Sequence, residues 1–224
     1  MNQYRTQLQW TFGGKLTPMV KILITINCIV FLIQMILEKW MGWDASFYFG
    51  LVPVLIRSHG YVWQFVSYLF LHGHLLHLLF NMLVLWMLGG EIEEKIFWAT
   101  GFLKYYLICG IGAGAFNFIF SYSSQVPIIG ASGAIYGVLV AYAVFFGNRQ
   151  LVLFPFPFLI RAKHMVLIIG GIELVSSIFY TTDGIAHVAH LGGMIVGYIY
   201  IQWIKQLRFR RKKHPFDIIE GGHA

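Results

Sequence analysis

The chain has 224 residues, 58% of them hydrophobic and only 11% charged, with a mean hydropathy of +0.70. A soluble domain carries roughly 25% charged residues, so a water-facing globule is excluded and a polytopic membrane protein is expected. The net charge of +7 does not point to nucleic acid, because most Lys and Arg residues flank apolar runs, where they set topology.

At about 20 residues per membrane helix, the length accommodates six spans with short connections. The first apolar run covers about 19–37. It ends at Glu38, Lys39 and Trp40 without a small-x-small cleavage site, so it is expected to remain as a signal anchor. Residues 38–67 carry Trp40, Trp43, Phe47, Tyr48, Phe49, Tyr61 and Trp63 among Asp44, Arg57 and His59. Aromatics mixed with polar groups suit the headgroup region, so this stretch is expected to be an interfacial loop with short helices.

The second span is expected over about 75–88 or a little beyond, closed by Gly89-Gly90 and the acidic Glu91, Glu93 and Glu94. The third covers about 103–120, with Gly110, Gly112 and Gly114 on it. A turn-rich loop, 121–127, leads to a fourth span at 132–146. Residues 147–164 hold Arg149, Arg161, Lys163 and a Phe-Pro-Phe-Pro-Phe run, where the two prolines forbid a regular helix. The fifth and sixth spans are expected at about 165–180 and 185–204. Cys28 and Cys109 each lie inside an apolar run and are expected to pack rather than react.

Charge sets the orientation. With both termini in the cytoplasm, 14 of the 16 basic residues lie inside: Arg5, Lys15, Lys21, Lys95, Lys104, Arg149, Arg161, Lys163 and the six of the tail from Lys205 to Lys213. Only Lys39 and Arg57 fall outside, as the positive-inside rule prefers. The expected organisation is a cytoplasmic segment 1–18, a six-span domain 19–204 and a basic cytoplasmic tail 205–224.

Polar groups at membrane depth are costly, so each asks for a function. Ser132 lies in Gly130-Ala-Ser-Gly133, where the external loop meets span four. By itself this is also a packing motif of small residues. His190 lies in Ala189-His-Leu-Gly-Gly193, and the pairs Gly133/Gly137 and Gly193/Gly197 form small-xxx-small stripes that let two helix backbones approach closely. Counted from Gly184, His190 lies roughly 9 Å deep. A histidine within hydrogen-bonding reach of a serine activates the hydroxyl as a nucleophile. Asp183 shares the face of His190 but stands roughly 10 Å higher, so no acid is expected to complete a triad and a Ser-His dyad is the reading. Tyr136, one turn below Ser132, is placed to stack on the imidazole.

On these motifs the chain resembles the rhomboid family of intramembrane serine proteases, from Phe49-Gly-Leu-Val-Pro53 through His190-Leu-Gly-Gly193. The resemblance implies an all-α, six-helix membrane bundle with Ser132 as nucleophile and His190 as general base. It also matches His77-Leu-Leu-Phe-Asn81, and so implies that both side chains serve an oxyanion hole with the Ser132 backbone N–H. Their i, i+4 spacing aims them in one direction. Glu93 matches the family's acidic residue that ties the cytoplasmic end of span two. Trp63-Gln64 stands where the family often has Trp-Arg, which leaves the anchoring of the first loop open.

The implied partners are single-span membrane protein substrates and the lipid bilayer, with no cofactor, no metal and no nucleic acid. The implied location is a bacterial inner membrane. Two rival readings remain. Nine histidines permit a metal site, yet His-Glu-x-x-His is absent, no span carboxylate stands one turn from these histidines, and His72 and His74 read as solvated or interfacial. A non-cleaving relative would lack Ser132 or His190, and both are present. Glu173, mid-span in helix five, is read as a neutral acid bonded to a neighbouring helix or as a gating group. His187 is read as lining a water-filled cavity.

Overall fold

A computed structural model describes residues 14–152, 159–179 and 187–212. The expected segment 1–18 and basic tail therefore fall mostly outside the described residues, as do Asp183 and the Phe-Pro run.

Helix α1 (Pro18–Met41) opens on proline, whose fixed φ suits the first helical position, and closes on Gly42 at φ 60°. Thr17 makes no cap with its side chain. The buried Glu93 carboxylate takes that role from another part of the chain. It accepts from the N–H groups of Met19 (3.0 Å) and Val20 (2.9 Å) and from the Thr17 hydroxyl. An anion on the unpaired first-turn donors is the favourable arrangement at a helix N-terminus.

Helix α1 runs past the expected 37 to Met41, and the stretch up to residue 67 then holds three short helices, α2 (Ala45–Phe49), α3 (Pro53–His59) and α4 (Gln64–Ser67). Gln64 resolves how this loop is anchored. It is fully buried; its Oε1 accepts from Val52 N–H at 2.9 Å, and its Nε2 donates to the carbonyls of Phe47 (3.1 Å) and Tyr48 (3.2 Å). The neutral amide thus ties the loop to itself, where a guanidinium could only donate. Leu51 then pairs with Ile128 through two reciprocal 2.9 Å backbone hydrogen bonds, which fasten the loop to the segment leading into Ser132.

Helix α5 (Leu75–Val84) continues without a break through a π-helical turn (Leu85–Gly89), α6 (Gly90–Ile92) and a second π-helical turn (Glu93–Phe97). The direction breaks at Trp98, with φ 60°, where α7 (Trp98–Phe120) begins. The second helical segment is therefore longer than the expected 75–88, and the third starts before 103. The acidic run looks like a water-facing loop but is paired: Glu91 with Lys95, Arg149 and Tyr142, Glu94 with Lys15, and Glu93 with α1. With its charges matched, the helix has no reason to end at the glycines.

Helices α8 (Ser132–Phe146), α9 (Ala162–Phe179) and α10 (His187–Lys212) complete the bundle. Strands β1 (Gln150–Val152) and β2 (Leu159–Arg161) form an antiparallel pair, Gln150 opposite Arg161, before α9. This hairpin adds to the all-α expectation at a place where prolines had only excluded a helix. Pro18–Met41, Leu75–Phe120 and Ala162–Phe179 are long and apolar enough to cross a membrane; Ser132–Phe146 is apolar but shorter.

The core is the contact of α8 with α7 and α10, and glycines define it. A Cβ at Gly193 would stand 2.0 Å from the Gly133 carbonyl oxygen; one at Gly197 would stand 2.7 Å from the Tyr105 hydroxyl and 3.1 Å from the Gly137 Cα. Side chains cannot occupy that seam, so the backbones of α8 and α10 touch. Tyr105 spans it by donating to the Gly137 carbonyl at 2.6 Å.

Candidate active site

The close seam brings one polar pair together. Ser132 is the first residue of α8, and His190 lies in the first turn of α10 as described. Ser132 Oγ is 2.8 Å from His190 Nε2, and both residues are half-buried. Tyr136 lies flat on the imidazole, with ring centroids 4.3 Å apart and planes inclined by 8°. The histidine is thus held from its face by Tyr136 and at its edge by Ser132.

Gly130 allows the approach to Ser132. Its φ of 127° is open to glycine, and its N–H donates to the Tyr68 carbonyl at 2.9 Å. A Cβ there would come within 2.8 Å of both Cε1 and Nε2 of His77. The His77 ring therefore lies against the turn that presents Ser132. Asn81, one helical turn on, is buried, and its Nδ2 has no hydrogen-bond partner. An unpaired buried donor costs about 1–3 kcal/mol, so its retention asks for an acceptor that arrives from outside. The Ser132 N–H is one of the first-turn donors of α8 that a helix leaves unpaired.

His72 is not solvated, as its polar neighbours suggested, but fully buried, its ring 5.0 Å from that of His77. His74 is exposed and caps α5, its Nδ1 accepting from His77 N–H at 3.1 Å.

The largest departure from the sequence reading concerns the acid. Glu173 on α9 is buried and reaches the far edge of the imidazole: its Oε1 is 3.1 Å from His190 Nδ1. Oε2 pairs with His187 Nδ1 at 2.6 Å, and Oε1 also accepts from the Tyr136 hydroxyl. The contact to His190 is close but not well directed, since His190 Nδ1 makes no aligned hydrogen bond. So a carboxylate does stand beside the Ser132–His190 pair, supplied by the neighbouring helix α9, and His187 points at it. A lone carboxyl in an apolar run, followed by two histidines on the next helix, is the signal that could have located it.

Glu173, His187 and His190 offer three donor atoms within 4.8 Å of one another, so they are the residues among those described that could hold a metal. No span carboxylate stands one turn along the chain from these histidines, but a neighbouring helix brings Glu173 to them, which spacing along one helix does not count.

A family model described as the Rhomboid domain matches residues 59–206, an interval that includes His77, Asn81, Ser132, Tyr136, Glu173 and His190. The chain is similar to rhomboid protease GlpG of Yersinia pseudotuberculosis, 28% identical over 85% of this chain and 63% of the relative. It is similar to rhomboid protease GluP of Bacillus subtilis, 32% identical over 67% of this chain and 27% of the relative. GlpG of Serratia proteamaculans is 27% identical over 86% of this chain and 65% of the relative. The chain thus spans less than two thirds of the length of these curated relatives.

Proposed function

The chain belongs to the rhomboid family, and from that premise we propose that it is an intramembrane serine endopeptidase in which Ser132 attacks the scissile carbonyl and His190 is the general base. The observation that carries this reading is the 2.8 Å contact between Ser132 Oγ and His190 Nε2 across a seam where two backbones touch. A nucleophile and base held at that distance need no rearrangement before the proton moves.

In the proposed reaction, His190 Nε2 takes the hydroxyl proton as Oγ bonds to the carbonyl carbon. The tetrahedral oxyanion accepts from Asn81 Nδ2, from His77 and from the Ser132 N–H. His190 then gives its proton to the leaving amine, the C–N bond breaks, and an acyl-enzyme remains. Water, deprotonated by His190, attacks that ester and restores Ser132. The unpartnered Asn81 donor supports this assignment, because a preorganised donor stabilises charge that appears only in the transition state.

The proposed arrangement in the membrane is six spans with both termini in the cytoplasm, in a bacterial inner membrane. The spans are α1, the two segments on either side of Trp98, α8, α9 and α10. The dyad then lies near the external end of the bundle, and a single-span substrate is cut near the outer end of its helix. Helical backbone hides its carbonyls, so the substrate must unwind locally before attack.

Cleavage of a model transmembrane substrate in proteoliposomes tests the reading. Ser132→Ala and His190→Ala should each lower turnover by about 10⁴-fold or more, while Asp183→Ala leaves it within a few-fold. Unchanged turnover in Ser132→Ala would end the serine reading. The three donors around Glu173 favour one alternative, a metal hydrolase. Chelators are expected to have no effect, and a loss that zinc reverses would favour the metal.

A further inference from the structure

Building on the serine-protease reading, we propose that Glu173 is a positioning residue for the general base: a carboxylate on α9 that holds the His190 proton on Nδ1 and balances the charge the ring gains during attack. Two donors bond to this one group and a third nitrogen stands beside it. His187 donates to Oε2 at 2.6 Å, the Tyr136 hydroxyl donates to Oε1, and His190 Nδ1 lies 3.1 Å from Oε1 without an aligned hydrogen bond. A carboxylate offers only acceptors, which matches the two bonded donors and leaves an oxygen lone pair toward His190.

The consequence for His190 follows from its two ring nitrogens. Nε2 must accept the serine proton, so the resting ring must carry its hydrogen on Nδ1. The group facing Nδ1 selects that tautomer, and among the described residues the carboxylate there is Glu173. When Nε2 takes the serine proton, the ring becomes a cation beside this anion. The proton remains on the imidazole and passes to the leaving amine; Glu173 keeps its charge throughout.

Tyr136 joins the two functions. Its ring stacks on His190 at 4.3 Å, and its hydroxyl holds the oxygen of Glu173 that faces the base. His187 fastens the other oxygen. Ring, carboxylate and base therefore come from three helices, α8, α9 and α10, which makes the orientation of His190 depend on α9 being in place.

The test uses the full chain in proteoliposomes, with a transmembrane substrate and a small fluorophosphonate probe. Glu173→Gln keeps the shape, removes the charge and places an NH₂ among donors. It should lower kcat by about 10 to 10²-fold with KM unchanged, since the group acts on the base and not on substrate binding. The labelling rate at Ser132 should fall by the same factor, because the probe needs the activated serine but none of the substrate contacts. Glu173→Asp, which keeps the charge, should turn over faster than Glu173→Gln. Tyr136→Phe, which keeps the stacked ring, should lose a few-fold in labelling rate and serves if Glu173→Gln does not fold. Labelling of Glu173→Gln at the unaltered rate would overturn the proposal, as would a loss in KM alone or an Asp variant no faster than Gln. If the unaltered protein itself is not labelled at Ser132, it is the serine-protease reading that fails.

Discussion

The α8–α10 seam and helix α9 are built on opposite terms. Along the seam the helices have discarded their side chains: Gly133 faces Gly193, Gly137 faces Gly197, and Ala134, Val138 and Ala141 on α8 are fully buried. On α9 most of the apolar side chains point away from the bundle, with Leu167 at 73% and Phe179 at 74% exposed. Lipid is as apolar as leucine, so such a face gains little from the protein, and close packing of small residues does most of the holding. Ser132 and His190 sit on the interface that cannot give; Glu173 hangs from the one that can. The difference teaches that the Ser132–His190 distance is fixed by backbone contact, while the carboxylate beside His190 is carried by a more loosely held helix.

Among changes that leave Ser132 and His190 in place, forcing the seam apart should have the largest effect. Gly193→Ala places a methyl group 2.0 Å from the Gly133 carbonyl, and the backbones must part. Overpacking of this kind costs about 1–3 kcal/mol. Because His190 lies on the same turn of α10, turnover should fall by about 10²-fold or more, in line with the cost of small misplacements. Thermal denaturation and a cleavage assay on the same preparation check both.

Asn81→Ala comes next. It removes a donor without disturbing the seam, so turnover should fall by about 10² to 10³-fold with KM unchanged. Equal losses in kcat and binding would show that Asn81 is structural.

A smaller effect is expected from the substrate side. Replacing Gly or Pro near the cleaved bond by Leu restores helix propensity of about 1 and 3 kcal/mol. Cutting should slow by about 5-fold and 10²-fold respectively, with membrane insertion unaffected. Indifference to these changes would mean that unwinding is not part of the reaction.

The smallest effect belongs to α9. A Cβ at Gly171 meets nothing within 4 Å, so Gly171→Ala should leave turnover unchanged and raise stability by at most about 1 kcal/mol, the helix-propensity gain. A large loss there would show that α9 is held as tightly as the seam and would remove the contrast.

Much of this was legible in the residues. Small-xxx-small spacing announces close helices, and a serine and a histidine on two such stripes are brought together by it. The rest depended on facts that local spacing does not carry. Glu173 reaches His190 only because of how α9 is rotated against α10, and periodicity within either helix does not carry that phase. The helix running past Gly89-Gly90 was hidden because Glu91, Glu93 and Glu94 find partners far away in sequence, among them Lys15, Arg149 and the first turn of α1. Gln64 looked like a defect in a loop motif, yet it ties three backbone groups. His72 looked polar and proved buried, since composition around a residue does not report which way its ring turns.

The central claim is that Ser132 and His190, pressed together by the α8–α10 seam, form one nucleophilic unit. Intact-mass and peptide mass spectrometry after fluorophosphonate treatment tests it most directly, on the unaltered chain, Ser132→Ala and His190→Ala. The expected result is a single adduct on the peptide containing Ser132, absent in Ser132→Ala and formed at least about 10²-fold more slowly in His190→Ala. An adduct on another residue, or labelling of His190→Ala at the unaltered rate, would contradict it.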